Sequence, residues 1–273
     1  MLTINDVMCL SSRLACVLGL LVFSIAGCGD VGGGSGGESG GGGTGATGGT
    51  GATGGTGATG GTGATGGVEP VTLFLTTFAG SSMFGLQERI PLDGVEVCET
   101  DTANCDTTNE SGRAILDLPA NQAVSYTYSK DGYGPYLVAD VTDETFEGNQ
   151  EIWVFSDAVW AEEAPTLGIE YPWAKGRMSV GVFPGRAGVT FDLVDATATQ
   201  YYNDGAERSL VLTETTTSGR GGFVDMATGE YQVEVGGNVT NCRLGTGWPG
   251  DAANRIKLPV KVGYDTISTL DCD

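Results

Sequence analysis

Residues 31–67 of this 273-residue chain contain no apolar side chain larger than valine, and that confines any folded core to residues 68–273. A segment with nothing to bury cannot offset the entropy of ordering its backbone. Residues 44–67 are four tandem copies of Thr-Gly-Ala-Thr-Gly-Gly. A six-residue period is also a mark of the β-helix, but that fold needs bulky inward-facing residues and alanine supplies none. The tract therefore reads as a disordered linker. A glycine-rich coil of this length spans about 33 Å on average and about 120 Å when extended.

Ahead of the linker stands Arg13, then an apolar stretch from Leu14 to Ala26. This is the layout of a secretory signal, and at about 13 residues it falls short of the roughly 20 that a helix needs to cross a bilayer. The four residues Ile25-Ala26-Gly27-Cys28 resemble the bacterial lipobox. The resemblance implies acylation of the Cys28 sulfur and a mature chain that begins at Cys28. Ordinary signal cleavage beside an incidental cysteine is the alternative. Two or three acyl chains hold a protein stably where one is marginal. The expected location is the bacterial cell envelope, with the chain lipid-anchored in the outer membrane. The first seven residues carry Asp6 and no basic side chain, whereas a start at Met8 puts Met-Cys-Leu-Ser-Ser-Arg directly before the apolar run. Met8 is thus a second candidate start.

Charge and composition exclude several functions. There are 13 Lys and Arg against 34 Asp and Glu, a net charge of −21, and no histidine. Without histidine the Ser-His-Asp and Cys-His nucleophile arrangements are unavailable, as are most zinc and copper sites. The acidic surface repels phosphate backbones, which excludes nucleic acid as a partner. No cofactor is expected. Beyond Cys28 four cysteines remain, Cys98, Cys105, Cys242 and Cys272, and they allow three pairings. Local pairing, Cys98–Cys105 and Cys242–Cys272, keeps each bridge within one proposed domain. A four-cysteine metal site is the rival, but no CxxC spacing supports it.

From residue 68 onward the pattern is of short strands broken by turns. Val71–Phe78, Gly94–Cys98, Ala114–Leu118 and Val124–Tyr128 are β-rich, several with period-two alternation. Met178–Phe183, Val189–Leu193, Gly222–Met226, Tyr231–Val235 and Lys257–Val262 repeat the style. The halves also echo in detail. Gly94-Val-Glu-Val matches Gly188-Val-Thr-Phe, and Ser111-Gly112-Arg matches Ser218-Gly219-Arg, each followed by an alternating strand and a tight corner. Between them, Ser156–Ala164 reads as a short helix, with a capping serine, Trp160 on its inner face and Pro165 past its end.

These strands, the Leu118-Pro corner and the loop Lys130-Asp-Gly-Tyr-Gly-Pro-Tyr136 resemble carboxypeptidase regulatory-like domains. That resemblance implies transthyretin-like sandwiches akin to carbohydrate-binding folds, with no catalytic residue. The expected fold is all-β, two tandem antiparallel β-sandwiches joined by a short helix after the disordered linker. The expected domains are a signal at 1–27, the lipidated cysteine and tether at 28–67, sandwich one at 68–155, a helix and connector at 156–172, and sandwich two at 173–273.

Candidate sites are few. Tyr133 and Tyr136 in a Gly-Pro loop, and Trp248 in Gly-Trp-Pro-Gly, are the least strand-like aromatics and the best candidates for an exposed sugar platform. Asp101, Asp106 and Glu110 lie in an oxygen-rich loop that resembles calcium sites in composition but lacks the EF-hand spacing. No pair of carboxylates stands out for glycosidase chemistry. The sequence leaves three classes open. A module binding a glycan or an envelope protein predicts exposed aromatics, a structural spacer predicts buried ones, and an enzyme predicts a pocket with converging carboxylates of raised pKa.

Overall fold

The computed structural model describes residues 69–81, 88–144, 146, 148–205 and 207–273. The signal segment, Met8, Cys28 and the repeat tract lie outside the described residues. The first strands are β1 Val71–Gly80, β2 Glu96–Glu99, β3 Cys105–Thr107, β4 Arg113–Leu118, β5 Ala123–Ser129, β6 Tyr136–Val141 and β7 Asn149–Phe155. Helix α1, Asp157–Glu163, and a 3-10 turn, Ala164–Leu167, come next. They lead into β8 Gly176–Phe183, β9 Val189–Val194, β10 Thr199–Asp204, β11 Glu207–Ser209, β12 Arg220–Met226 and β13 Gly229–Gly237. The chain ends with β14 Arg243–Leu244, β15 Trp248–Pro249, β16 Arg255–Val260 and β17 Asp265–Asp271. The described part is all-β apart from one short helix.

Alternation builds the first core. In β4, Ala114, Leu116 and Leu118 point inward while Arg113, Ile115 and Asp117 are exposed. Their partners on β1 include the buried Leu73 and Leu75, and both strands pack over Val95, Val97, Tyr126 and Tyr128 of the opposite sheet. The second core repeats this with Met178, Val180, Phe191, Phe223, Val233 and Leu258. Helix α1 starts where Val159 N–H donates to the Ser156 hydroxyl, and it buries Trp160.

The sequence echo corresponds to a repeated wiring. The order β4-β1-β7 is matched by β12-β8-β17, and β2-β5-β6 by β9-β13-β16. At equivalent turns one threonine hydroxyl bridges the same two backbone groups. Thr108 Oγ1 accepts from Val95 N at 2.9 Å and donates to Leu92 O at 2.8 Å. Thr215 Oγ1 accepts from Val189 N at 3.0 Å and donates to Arg186 O at 2.7 Å. The glycines of the matched Ser-Gly turns are required for two reasons. Gly112 and Gly219 both have positive φ, and a Cβ there would lie 2.4 Å from Thr77 O or 2.7 Å from Val182 O.

The expectation of purely antiparallel sheets needs correction. The pairs β1–β7, β8–β17 and β6–β17 are parallel. In each half the last strand closes beside the first after the chain has crossed between sheets, which sets the two running the same way. The third parallel pair joins the halves. β17 lies between β8 and β6, so a ten-stranded sheet runs from β11 to β3 through both cores.

Both locally paired disulfides are present, Cys98–Cys105 and Cys242–Cys272. The first closes the β2–β3 hairpin. The second fixes the chain just beyond β17 to the segment leading into β14. A closed loop of this length stabilises by about 3.7 kcal/mol in the chain-entropy account. The double substitution Cys242→Ser/Cys272→Ser is therefore expected to lower unfolding free energy by about 2–4 kcal/mol. Cys98→Ser/Cys105→Ser, which opens a shorter loop, is expected to cost less. Urea unfolding followed by tryptophan fluorescence checks both.

Candidate functional site

The start of β17 sets up a row of three side chains across three strands. Asp265 is in register with Tyr136 of β6 on one side and Arg177 of β8 on the other. The Arg177 Nε lies 3.2 Å from Asp265 Oδ1, and both side chains are almost completely buried. Ser179 Oγ donates to both oxygens of Asp265, at 3.0 and 3.1 Å, and lies 2.8 Å from the Tyr201 hydroxyl. Arg177 Nη2 also donates to that hydroxyl at 3.3 Å.

Helix α1 drives Trp160 against this ion pair. The Arg177 guanidinium sits 4.3 Å from the centre of the Trp160 ring and 5.0 Å from Trp173. A second guanidinium, Arg208 from β11, lies 5.1 Å from Trp160 and 5.3 Å from Tyr201. Gly134 makes the approach possible, since a Cβ there would stand 2.2 Å from Trp160 Nε1. The cluster draws Tyr136, Trp160 and Trp173 from one side of the chain and Arg177, Tyr201, Arg208 and Asp265 from the other.

Burial and neighbours set the charges. Burial is the largest influence on Arg177 and works against its cation, but Asp265, Tyr201 and Tyr136 together outweigh it, and the guanidinium is held more firmly protonated than usual. At Arg208 the balance tips the other way. Burial, followed by repulsion from Arg177, lowers its pKa even though Glu163 Oε2 stands 4.0 Å from its Nε. Burial raises the Glu163 carboxyl despite the attraction of Arg208 and Arg177. Ser179 donates to a carboxylate already matched by a guanidinium, so it is a structural bridge and not an activated nucleophile.

Outside this cluster runs a groove of about 670 Å³. One wall is β7, through Glu151, Trp153 and Phe155, and the other is the outer face of β8 and β17, through Gly181, Phe183 and Thr269. Trp160, Tyr201 and Arg208 lie toward its buried end, and Arg220 lines it from β12.

The residues singled out in the sequence do not form this site together. Tyr136, expected to be exposed, is 3% accessible because it is the first residue of β6 and faces the core. Tyr133 is half-buried against the first core and bridges Ser156. Trp248 is half-buried in the second core, and its Nε1–H donates to Val124 O at 2.8 Å. Val124 pairs with Asp140 and Tyr128 with Tyr136, so Trp248 lies about 13 Å along the sheet from Tyr136. In the acidic loop, the Asp106 carboxylate accepts from Thr107 N at 2.8 Å and Ile115 N at 2.7 Å. Asp101 and Glu110 are exposed. Among the described residues no three acidic, histidine or cysteine side chains converge as a metal site.

One carboxylate besides Glu163 is raised. Burial pushes Asp140 up to about 6, although Val141 N, Tyr126 Oη and Gln150 Nε2 all donate to it. It sits on β6, four residues along the strand from Tyr136, and does not converge with Glu163 on a shared cleft.

No protein family and no curated protein matches this chain. Among solved structures, the minor pilin GBS52 of Streptococcus agalactiae aligns over 73% of this chain and 95% of its own, at 12% identity and TM-score 0.25. The Bacillus anthracis TIE protein aligns over 74% of this chain and 34% of its own, at 13% identity and TM-score 0.24. The shaft pilin SpaA of Lactobacillus rhamnosus GG aligns over 76% and 98%, at 11% identity and TM-score 0.23. Scores this low carry no argument about mechanism.

Removing one member of the buried ion pair leaves the other uncompensated, so Asp265→Asn is expected to cost about 3–5 kcal/mol. Arg177→Met/Asp265→Leu, which removes both charges, is expected to cost less than Asp265→Asn alone. A double-mutant cycle by urea unfolding reads the difference. The Asp140 pKa is raised above its unfolded value near 4, so its stabilising contribution is full below about pH 4 and is lost as pH rises through about 6. Melting temperature is expected to fall between about pH 4 and 6, and Asp140→Asn to flatten that part of the slope, which melts across the range would measure.

Proposed function

We propose that this chain is a non-catalytic envelope lipoprotein whose globular part is a rigid structural spacer, held off the outer membrane by the glycine-rich tether. In this reading Cys28 carries the acyl chains. Residues 68–155 and 173–273 are the two transthyretin-like units, of the carboxypeptidase regulatory-like kind, and 156–172 is the wedge between them. The single observation that carries the reading is β17, which pairs in parallel with both β6 and β8 and so continues one sheet through two cores. A spacer transmits position, and a continuous hydrogen-bonded sheet resists hinge motion where a flexible linker would not.

The placement of the aromatic rings supports the same choice. Tyr126, Tyr128, Tyr136, Tyr201 and Tyr202 are each 3% exposed or less, and Trp160 is 1% exposed. A sugar platform needs rings that face solvent, and these rings are spent on packing. The Arg177–Asp265 pair, with Trp160 against it, locks the wedge to the seam and has no free base to offer a substrate.

In calorimetry the globular part is expected to melt in one cooperative transition, and two separated transitions would refute rigid coupling of the units. The wild-type chain is expected to partition into the detergent phase and Cys28→Ala into the aqueous phase. Equal partitioning would remove the anchor from the proposal.

A further inference from the structure

The two outer edges of the sheet β4-β1-β7 are treated differently. At β4 the Asp106 carboxylate covers the edge by accepting from Ile115 N. The free side of β9 is likewise covered, since Phe191 N donates to the Tyr202 hydroxyl at 2.9 Å and Phe191 O accepts from Gln200. At β7 the backbone phase can be read directly. Phe74 N donates to Gly148 O, so residues 148, 150, 152 and 154 present their peptide groups to β1, and 149, 151, 153 and 155 present theirs outward. Phe155 O is taken by Gly134 N at 3.0 Å. Among the described residues no hydrogen bond reaches the outward N–H and C=O groups of Glu151 and Trp153. Unpaired strand edges are templates for another strand, and proteins normally blunt them.

This open edge is also a wall of the groove of about 670 Å³, and the opposite wall is smooth at Gly181, where an added Cβ would have ordinary clearance of 3.6 Å. The charge of the groove runs against that of the chain. Arg220 stacks over Phe183 at 5.8 Å and has no carboxylate within ion-pairing distance among the described residues. The two acids on the walls are matched by arginines, Glu151 by Arg89 and Asp265 by Arg177.

We propose that the groove receives an extended peptide from another protein, which adds as a fourth strand along the β7 edge and places an acidic side chain on Arg220. Main-chain bonds to Glu151 and Trp153 supply affinity, and the alternate side chains of the peptide lie against Phe183 and Thr269 or toward solvent. A second copy of this chain is disfavoured by a net charge of −21 on each partner. The proposal does not depend on lipidation or on the spacer reading.

The test uses the chain from residue 28 with Cys28→Ser, screened against a displayed library of twelve-residue peptides. Enriched peptides are expected to be β-prone and to carry Asp or Glu. Trp153→Ala, which keeps the edge N–H, is expected to hold affinity within about threefold. Trp153→Pro removes only an outward N–H and no bond to β1, and is expected to weaken binding at least tenfold. Arg220→Glu is expected to do the same for acidic peptides only. If Trp153→Pro fails to fold by circular dichroism, peptides N-methylated at alternate residues replace it, and one of the two methylation phases is expected to abolish binding. No enrichment, equal binding by Trp153→Ala and Trp153→Pro, or indifference to both methylation phases overturns the proposal. So does retention of oligouronates with unchanged affinity in Trp153→Pro, which would make the groove a carbohydrate cleft.

Discussion

The Arg177–Asp265 pair holds the seam of this protein together, and the rest of the globular architecture depends on it. A buried ion pair is seldom a net source of stability, because desolvating two charges offsets most of their attraction. Its value here is directional. Asp265 opens β17, and pairing with Arg177 while Ser179 donates to both carboxylate oxygens fixes where the last strand enters the sheet. Shifting β17 by one residue would turn Asp265 to the other face and leave a guanidinium buried among Trp160, Trp173 and Tyr201 without an anion. The register of the strand that joins the two cores is thus protected by a large penalty against the alternative.

That same strand shows where sequence legibility stops. Nine strand segments are readable from their β-rich, often alternating composition, the short helix from its cap and its Pro165 stop, and the repeat from Gly-Val and Ser-Gly signatures that reflect shared turn chemistry. β17 is not readable. Its inward positions include Thr266 and Ser268, both buried, so no apolar period marks them. They are tolerated because each hydroxyl has a carbonyl waiting, Pro259 O at 2.7 Å and Thr246 O at 2.6 Å. β6 is hidden for the opposite reason. Tyr136 through Asp140 are all buried because both faces are covered, Tyr136 and Val138 packing in the first core and Ala139 in the second, and such a segment carries no alternation to mark it.

The candidate site is less legible than the fold. Arg177 and Arg208 resemble any other arginine in the sequence, and only tertiary packing separates a guanidinium on the surface from one held against an indole. Glycines and prolines beside an aromatic residue suggest exposure, yet they are a poor guide to it. Those residues shape tight turns, and a tight turn returns the chain to the core within two or three residues, as it does at Tyr136. The disulfide pairing is decidable because both bridges are local. The open edge of β7 is not, because it is defined by the absence of a neighbour among the described residues and by the phase of a parallel pairing.

Rigidity and an open edge belong together. A groove between two independently moving domains would have to be assembled each time something bound, and ordering it would subtract from affinity. Here β7 lies in the three-stranded sheet of the first core and the Gly181 wall in the sheet that β17 continues through both cores, with Trp160 wedged between them at the buried end. The walls are therefore preorganised, and an incoming strand would lose only its own conformational freedom. On the proposed reading, the ion-paired seam keeps the β7 edge, which is unpaired among the described residues, presented in a constant shape.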